Sequence, residues 1–440
     1  MHGDLIPVVR NDVQVSRVKT PQSRQCILYI SSKGRKITPN KATCDLITLC
    51  DGVHTFGEIA SHFVKISGEP PSLIKEQLKK ILHRLFENEV IQFSEVPMPR
   101  DMVSEVELVH PLENITMEIT DMCNLNCMHC YNNSHQKRKD ELSLEEIYQL
   151  IDEIKRLGAL KICLSGGEPL MHPHFFEIAY YIRDNSLGLE LFTNGTLLTK
   201  ETVKKLKDLN VLKVSVSLDS LTPEIHDSFR GKKGAWIKTM EGIRNLKTEG
   251  VNINPAISVS SLNLDEVVPL LKFFLKEGFQ KYSFMPVFAT GRKTPLKVDI
   301  SPDDFEKALK KLYMWQKSHN ITFQSFIKRE GIQNCGIGCS SLVVKSNGDV
   351  VPCPAFGKHV VLGTIRDQSL KDIWNDSVVL NTLRHLDVEN HPVCRTCHLV
   401  EYCKGGCIAN VYLKTGNLQV CDPFKCASMR ALEYARNFPE

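Results

Sequence analysis

Nothing in this chain has the make-up of a membrane span, because no apolar run approaches the roughly 18 residues that a helical crossing needs. The opening Met1-His2-Gly3-Asp4 lacks the charged-then-apolar pattern of a secretory signal. Net charge is also scarce: 55 Lys and Arg against 51 Asp and Glu leave +4. That balance singles out neither nucleic acid nor a membrane surface as a partner. No internal repeat and no low-complexity tract is present, which excludes solenoids and long linkers. What remains is a chain of 440 residues, 42% hydrophobic and 24% charged, the profile of a soluble globular protein with two to four domains. Against these absences stand sixteen cysteines. In a chain without a signal they read as metal or redox ligands rather than disulfides, and they place it in a reducing cytoplasm.

Three of the cysteines follow an extended apolar stretch as Cys123, Cys127 and Cys130, a C-x3-C-x2-C pattern. Three thiolates hold three irons of a four-iron cluster and leave the fourth open for a small molecule to bind and be reduced. The competing reading is structural zinc, which needs four ligands in a closed tetrahedron and could recruit His129. The spacing and its place after a strand resemble the signature of the radical S-adenosylmethionine (radical SAM) enzymes.

Residues 1–95 form a first unit. A strand is expected over 25–30 and a turn at Lys33-Gly34-Arg35. Helical periodicity follows over 41–49, 56–66 and 73–86. Two or three strands with three short helices predict a winged-helix-like α+β domain. Its 14 Lys and Arg against 10 Asp and Glu over residues 1–100 give little support for DNA reading. Val8-Val9-Arg10, Leu49-Cys50-Asp51-Gly52 and Thr55-Phe56-Gly57-Glu58 resemble the peptide chaperones of pyrroloquinoline quinone biosynthesis. That resemblance implies a leader-peptide-recognition domain. Pro97, Pro99 and Pro111 mark residues 96–112 as a linker.

Over residues 113–298 strands and helices alternate, which predicts a parallel α/β sheet. Strands are expected over 115–119, 160–164, 189–193, 211–218, 253–259 and 282–286. Helices fall over 174–183, 200–209, 236–248 and 264–276, and Ser143-x-x-Glu146 forms a capping box for one that Gly158 closes. Six such units fit a partial (β/α)6 barrel whose carboxyl end receives ligands. Ser165-Gly166-Gly167-Glu168-Pro169 follows the cysteine triplet by about 35 residues, and its glycines permit close backbone approach to a ligand. In that place it resembles the radical SAM loop that binds the amino group of the cofactor. The strand ends at Asn194, Ser217 and Asp219 resemble the family's polar cofactor contacts, with Ser217 at the ribose. Arg230 could pair with the cofactor carboxylate, the alternative being a surface salt bridge. His129 stands where the family usually has an aromatic residue against adenine. The resemblance implies a 4Fe-4S cluster and S-adenosyl-L-methionine, which together yield a 5′-deoxyadenosyl radical that abstracts hydrogen.

A helix over 301–319, capped by Ser301, occupies the bridging region 299–334. The last unit, 335–440, carries Cys335, Cys339 and Cys353, then Cys394-x2-Cys397-x5-Cys403-x3-Cys407, then Cys421 and Cys426. This array resembles the SPASM domain, with four residues between Gly348 and Cys353 and Asp422-Pro423 ahead of Cys426. Nine thiolates exceed two zinc sites by one, and two clusters of four suit them better. By resemblance Cys335, Cys339, Cys353 and Cys407 hold a nearer auxiliary cluster, and Cys394, Cys397, Cys403 and Cys426 a farther one. Cys339 comes earlier than in relatives, so the nearer cluster could have an open iron, and Cys421 is surplus. Cys26, Cys44, Cys50 and Cys163 fall on apolar faces and are expected as core thiols.

The fused units resemble peptide-maturing enzymes. What this implies is an oxidoreductase with three 4Fe-4S clusters, a ribosomal precursor peptide with its leader as substrate, and an external reductant such as flavodoxin or ferredoxin. A thioether crosslink is the favoured product, with carbon–carbon crosslinking or epimerisation as alternatives. Anaerobic sulfatase-maturing oxidases carry an aspartate after the G-x4-C cysteine, where this chain has Pro354. An iron–sulfur scaffold or a redox-responsive DNA regulator is the non-enzyme alternative, and the intact Gly166-Gly167-Glu168-Pro169 loop argues against it.

Overall fold

Short strands and three helices build the N-terminal layer of the computed structural model, which describes residues 4–100, 103–279, 281–287, 292, 300–321, 336–386, 391–418 and 420–438. The strands β1 (Ile6–Val9), β2 (Val13–Lys19), β3 (Arg24–Ile30) and β4 (Arg35–Ile37) precede the helices α1 (Lys41–Thr48), α2 (Phe56–Ser67) and α3 (Pro71–Glu87). Then come β5 (Ile91–Ser94) and β6 (Val103–Glu107). The sheet runs β4-β3-β2-β6, and β1 pairs separately with β5. Thr55 and Glu58 make a reciprocal capping box on α2, and Gly68 ends it with φ +70.

Two expectations change here. The unit has five strands rather than two or three, because Val13–Lys19 and its short partners are half polar and weak in periodicity. The segment expected as a linker contains β6, which runs parallel to β2 from Val15↔Val103 to Lys19↔Glu107. One face of this sheet then meets the next unit through Val18, Ile27, Tyr29 and Leu160.

The central unit follows as β7 (Asn114–Glu118), α4 (Leu144–Arg156), β8 (Lys161–Ser165), α5 (Phe175–Asp184), β9 (Gly188–Thr193) and α6 (Lys200–Asp208). It continues with β10 (Lys213–Ser217), α7 (Pro223–Arg230), α8 (Ala235–Thr248), β11 (Ile253–Val259), α9 (Val267–Lys276) and β12 (Ser283–Pro286). These six strands lie parallel and in sequence order, as right-handed βαβ crossovers dictate. The capping box of Ser143 and Glu146 opens α4 as the sequence implies. Residues 264–266 form a short 3-10 turn before α9, where Pro269 sits within the first turn.

The remaining elements are α10 (Pro302–Ser318), β13 (Ser341–Val344), β14 (Asp349–Val351), β15 (Gly363–Thr364), α11 (Leu370–Asp376), α12 (Val378–Arg384), α13 (Val400–Cys403), α14 (Ile408–Thr415) and α15 (Pro423–Asn437). β13 adds parallel to β7, so the barrel sheet extends to nine strands. The hydrophobic core is shared accordingly, with Leu342, Trp374 and Phe424 in the same cluster as Ile115 and Leu164. Among the described residues no helix is long and apolar enough to cross a membrane.

The reading of four core thiols is corrected for Cys26, Cys44 and Cys163. Cys26 on β3 and Cys44 on α1 form a disulfide with Cα atoms 6.2 Å apart, since the helix packs over the strand where their side chains meet. Cys163 alternates with the buried Ile162 and Leu164 and therefore sits on the opposite, inner face of the sheet. Cys50 is a buried core thiol, directed at the carbonyl of Leu46.

Candidate functional site at the carboxyl end of the barrel

Register brings the first two strand ends together, Glu118 of β7 lying beside Ser165 of β8. The cysteine loop leaves one and the Gly166-Gly167 loop the other. Gly167 N–H donates to Thr120 O at 2.6 Å, and Glu168 N–H to Met122 O at 2.8 Å. A Cβ on Gly167 would stand 2.3 Å from Met122 O, and one on Gly166, at φ +142, 2.3 Å from Thr120 O. The glycines thus admit the backbone of the cysteine loop itself, where the sequence suggested approach to a ligand.

Glu168 is fully buried and accepts from Thr193 Oγ1 at 2.7 Å, Asn194 N–H at 2.8 Å and Leu170 N–H at 3.3 Å. Burial drives its pKa up to about 7, against the pull of those hydrogen bonds and of Arg230. Asn194 Nδ2 reaches Asn124 Oδ1 at 2.9 Å, so the end of β9 also holds the cysteine loop. Ser217 ends β10 half-buried.

The loop is gripped from the far side by the end of α7. Asn126 and Met128 N–H groups donate to Arg230 O and Phe229 O, both at 3.1 Å. Gly231, at φ +66, leaves no room for a Cβ, which would meet Asn126 O at 2.2 Å. Arg230 is buried rather than a surface ion. Its Nε donates to Asp219 Oδ2 at 2.6 Å and its Nη1 approaches Cys127 Sγ at 3.8 Å. Burial opposes its charge, but Asp219 and Cys127 more than compensate and push its pKa up. Asp219 is held low for the reciprocal reason: burial raises it, yet Arg230, His129 and His226 outweigh that cost. His129 stacks on Phe229 at 4.1 Å, and burial then Arg230 lower its pKa to about 3. His226, fully buried, is lowered to about 4 by the same desolvation.

Two cations missed in the sequence complete the grip. Arg292 reaches Cys127 O at 3.1 Å, Ser134 O at 2.9 Å and Asn133 Oδ1 at 3.1 Å, and also pairs with Asn126 Oδ1. Lys345, just after β13, binds the buried Glu118 and Asn132, while Ser346 Oγ donates to Asp121 Oδ1 at 2.9 Å. Neither has a local signal, since the partners lie 159 and 227 residues away. On the inner face Glu190 accepts from Lys161 at 2.6 Å and Lys213 at 2.8 Å. On the same inner face Phe192 of β9 and Met285 of β12 stay 41% and 50% exposed.

The donors of the first loop do not gather as a single zinc ion would need. Zinc ligands lie about 2.0–2.3 Å from one metal, hence within about 4.6 Å of each other. Among the described residues no three of Cys123, Cys127, Cys130 and His129 gather within 4.8 Å. Burial raises Cys123 to about 12, so a bound cation would have to strip these thiols of their protons. In the C-terminal unit Cys335 lies outside the described residues. Cys353 and Cys407 pack against the main core, and Cys339 sits beside Arg384, which donates to Gly338 O at 2.6 Å. Cys394, Cys397, Cys403, Cys421 and Cys426 are mutual neighbours.

Residues 117–274 match the model of the radical SAM superfamily, and residues 335–398 that of SPASM, an iron-sulfur cluster-binding domain. An AdoMet-dependent heme synthase of Methanosarcina barkeri is 34% identical over 70% of this chain and 95% of its own. The antilisterial bacteriocin subtilosin biosynthesis protein AlbA of Bacillus subtilis is 29% identical over 85% of this chain and 84% of its own. The fold matches that of Streptococcus suis SuiB, crystallised with precursor peptide SuiA, with TM-score 0.67 and 16% identity over 94% of this chain and 98% of SuiB. A cysteine loop pinned between strand ends, a glycine pair that admits it and a second cysteine-rich unit on the same sheet therefore make this chain a member of the radical SAM superfamily with a SPASM domain.

Proposed function

We propose that the chain is a radical SAM oxidoreductase that matures a ribosomally made precursor peptide, joining a cysteine sulfur to a carbon of another residue as a thioether. The N-terminal sheet carries this reading. Among the described residues β4 and β6 are its two outer strands, and an extended leader can add at such an edge as a strand. The outer edge of β6 borders a groove of about 470 Å³ lined by Glu105, Val106, Glu107, Arg156 and Lys371. Similarity to AlbA and to SuiB over most of the chain supports the same substrate class.

Cys123, Cys127 and Cys130 would hold the 4Fe-4S cluster. Gly166, Gly167, Glu168, Asn194, Ser217, Asp219, Arg230 and His129 would frame S-adenosylmethionine. When bound, these groups supply a one-electron cleavage that delivers a hydrogen-abstracting carbon radical. The chain itself fixes charge beside Cys127 through Arg230 and Asp219, and bounds the substrate space with Phe192, Met285 and the Lys161–Glu190–Lys213 group. A flavodoxin or ferredoxin would supply the electron that starts the cleavage, and the two auxiliary clusters in the SPASM unit would accept the electron released when the thioether closes, the thiol proton leaving to solvent.

Co-expression with a candidate cysteine-bearing precursor tests the reading by mass spectrometry. The expected product has lost two hydrogens per crosslink and resists thiol alkylation at one cysteine. An unchanged peptide beside active cofactor cleavage would count against it. A second reading rests on the 34% identity to the heme synthase, namely an iron porphyrin against the same inner face. A Soret-band shift on adding the porphyrin, followed by heme formation, would select it.

A further inference from the structure

Five thiols crowd one end of the SPASM unit, and a 4Fe-4S cluster takes four. The surplus thiol can be identified by contact. Cys421 Sγ lies 3.2 Å from Cys394 Sγ and also makes a side-chain hydrogen bond with Cys426. It therefore touches two of the thiols assigned to the farther cluster. Each iron of such a cluster takes one protein thiolate, and the irons occupy separate corners. Two sulfurs in contact serve one iron, not two, so Cys421 stands between two corners rather than at one of its own.

Its position is fixed by the residue that follows. Asp422 caps α15, accepting from Phe424 N–H at 3.1 Å and Asn410 Nδ2 at 3.0 Å, while its other oxygen accepts from Cys407 N–H at 3.0 Å. Cys426 sits on the first turn of α15, its N–H donating to Asp422 O at 3.0 Å. One anchored aspartate thus holds Cys407, Cys421 and Cys426 in register. A ring nitrogen of His391 lies within 4.8 Å of the Cys394 and Cys421 sulfurs. Its Nδ1 already accepts from Val393 and Cys394 N–H groups, both at 3.2 Å. That leaves the ring proton on Nε2, where no lone pair faces an iron, so the fifth donor is the thiol.

We infer that Cys421 is a reserve ligand of the farther auxiliary cluster, able to take over the iron held by Cys394 or by Cys426. In the exchange one thiolate replaces another, the incoming thiol passes its proton to the outgoing sulfur, and no electron changes hands. The inference rests on the reading that this unit holds a four-iron cluster at Cys394, Cys397, Cys403 and Cys426.

Iron and sulfide counts on the full chain, reconstituted without oxygen, test it. Cys394→Ala and Cys426→Ala should each keep the complement of the parent chain, and each combined with Cys421→Ala should lose about four irons. A second measurement is made on the folded, loaded parent chain. Iodoacetamide should modify Cys421 and spare Cys394 and Cys426, and in either single variant Cys421 should become protected. Singles that lose the same irons as their doubles would overturn the inference. So would Cys421 alkylation that is equal in the singles and the parent. A parent chain holding only about four irons, all lost with Cys123, Cys127 and Cys130, would overturn the cluster reading beneath it.

Discussion

The loop of Cys123, Cys127 and Cys130 hangs from strand ends and is gripped by Arg292, Lys345 and the end of α7. The segment of Cys394, Cys397 and Cys403 hangs from a 3-10 turn and the four-residue helix α13, over a small apolar cluster of Leu399, Cys403 and Met429. In the first region the fold supplies the geometry and a metal would arrive into it. In the second the apolar cluster is small, so metal binding there is expected to be coupled to folding. The same residue type thus does opposite work. Cofactor chemistry needs a preorganised loop, whereas an auxiliary cluster can serve as the staple of its own domain.

The largest expected effects separate the two regions directly. Replacing Cys123, Cys127 and Cys130 with alanine should reduce cleavage of S-adenosylmethionine under dithionite to background. The melting temperature should change little, because the backbone and cation contacts remain. Replacing Cys394 and Cys397 should instead remove about four of roughly twelve irons and lower the melting temperature by roughly 5–10 °C. Equal melting shifts for the two sets would erase the contrast.

Next comes the buried cation that ties the SPASM hairpin to the loop. Lys345→Met strands the carboxylate of Glu118, whose side chain is fully buried, and should cost about 3–5 kcal/mol in a denaturant titration. Adding Glu118→Gln should recover most of that loss. A double variant as unstable as the single would mean that the pair acts through packing rather than charge.

Acid should find the first region before the second. His226 is fully buried with its pKa lowered to about 4 from 6.5. Below pH 6.5 the unfolded chain takes a proton that the folded chain refuses, so stability falls as pH drops toward 4. The gap corresponds to about 3 kcal/mol. Glu168, raised to about 7, acts in the opposite sense between 4.5 and 7, so the comparison must be made between variants. His226→Asn keeps an acceptor for the Asp219 N–H and should flatten the stability profile between pH 6.5 and 4 relative to the parent. Parallel profiles would remove His226 from the acid response.

Much of the barrel was legible because its strands and helices follow one another at regular spacing, and α4 and α6 carry side-chain caps. The segment 253–259 is a strand end to end, and Ser143 with Glu146 opens α4 as expected. β6 was not legible, since Val-Ser-Glu-Val-Glu reads as a charged connector until β2 supplies its partner. The cysteine spacings named ligand candidates without showing which sulfurs meet, so the contact of Cys421 with Cys394 appears only in three dimensions. Arg292 and Lys345 lie in no recognisable motif, and only the return of the chain to the first loop gives them partners.

The smallest predicted effect comes from a second tie between the SPASM unit and the barrel, one made in water rather than in the core. Arg366 forks onto Glu146, its Nε 2.7 Å from Oε1 and its Nη2 3.0 Å from Oε2. Its Nη1 also reaches Asp140 O at 3.2 Å. The geometry is bidentate, as with Lys345 the partners are distant in sequence, and the link spans the same two units. The side chains, however, remain 39% and 33% exposed, so solvent screens the attraction, and Glu146 still has Ser143 as its capping partner. Arg366→Ala should therefore cost no more than about 1 kcal/mol, and 0.5 M salt should shrink that cost further. A loss approaching that of Lys345→Met would show that the outer tie, not the buried one, docks the hairpin on β7.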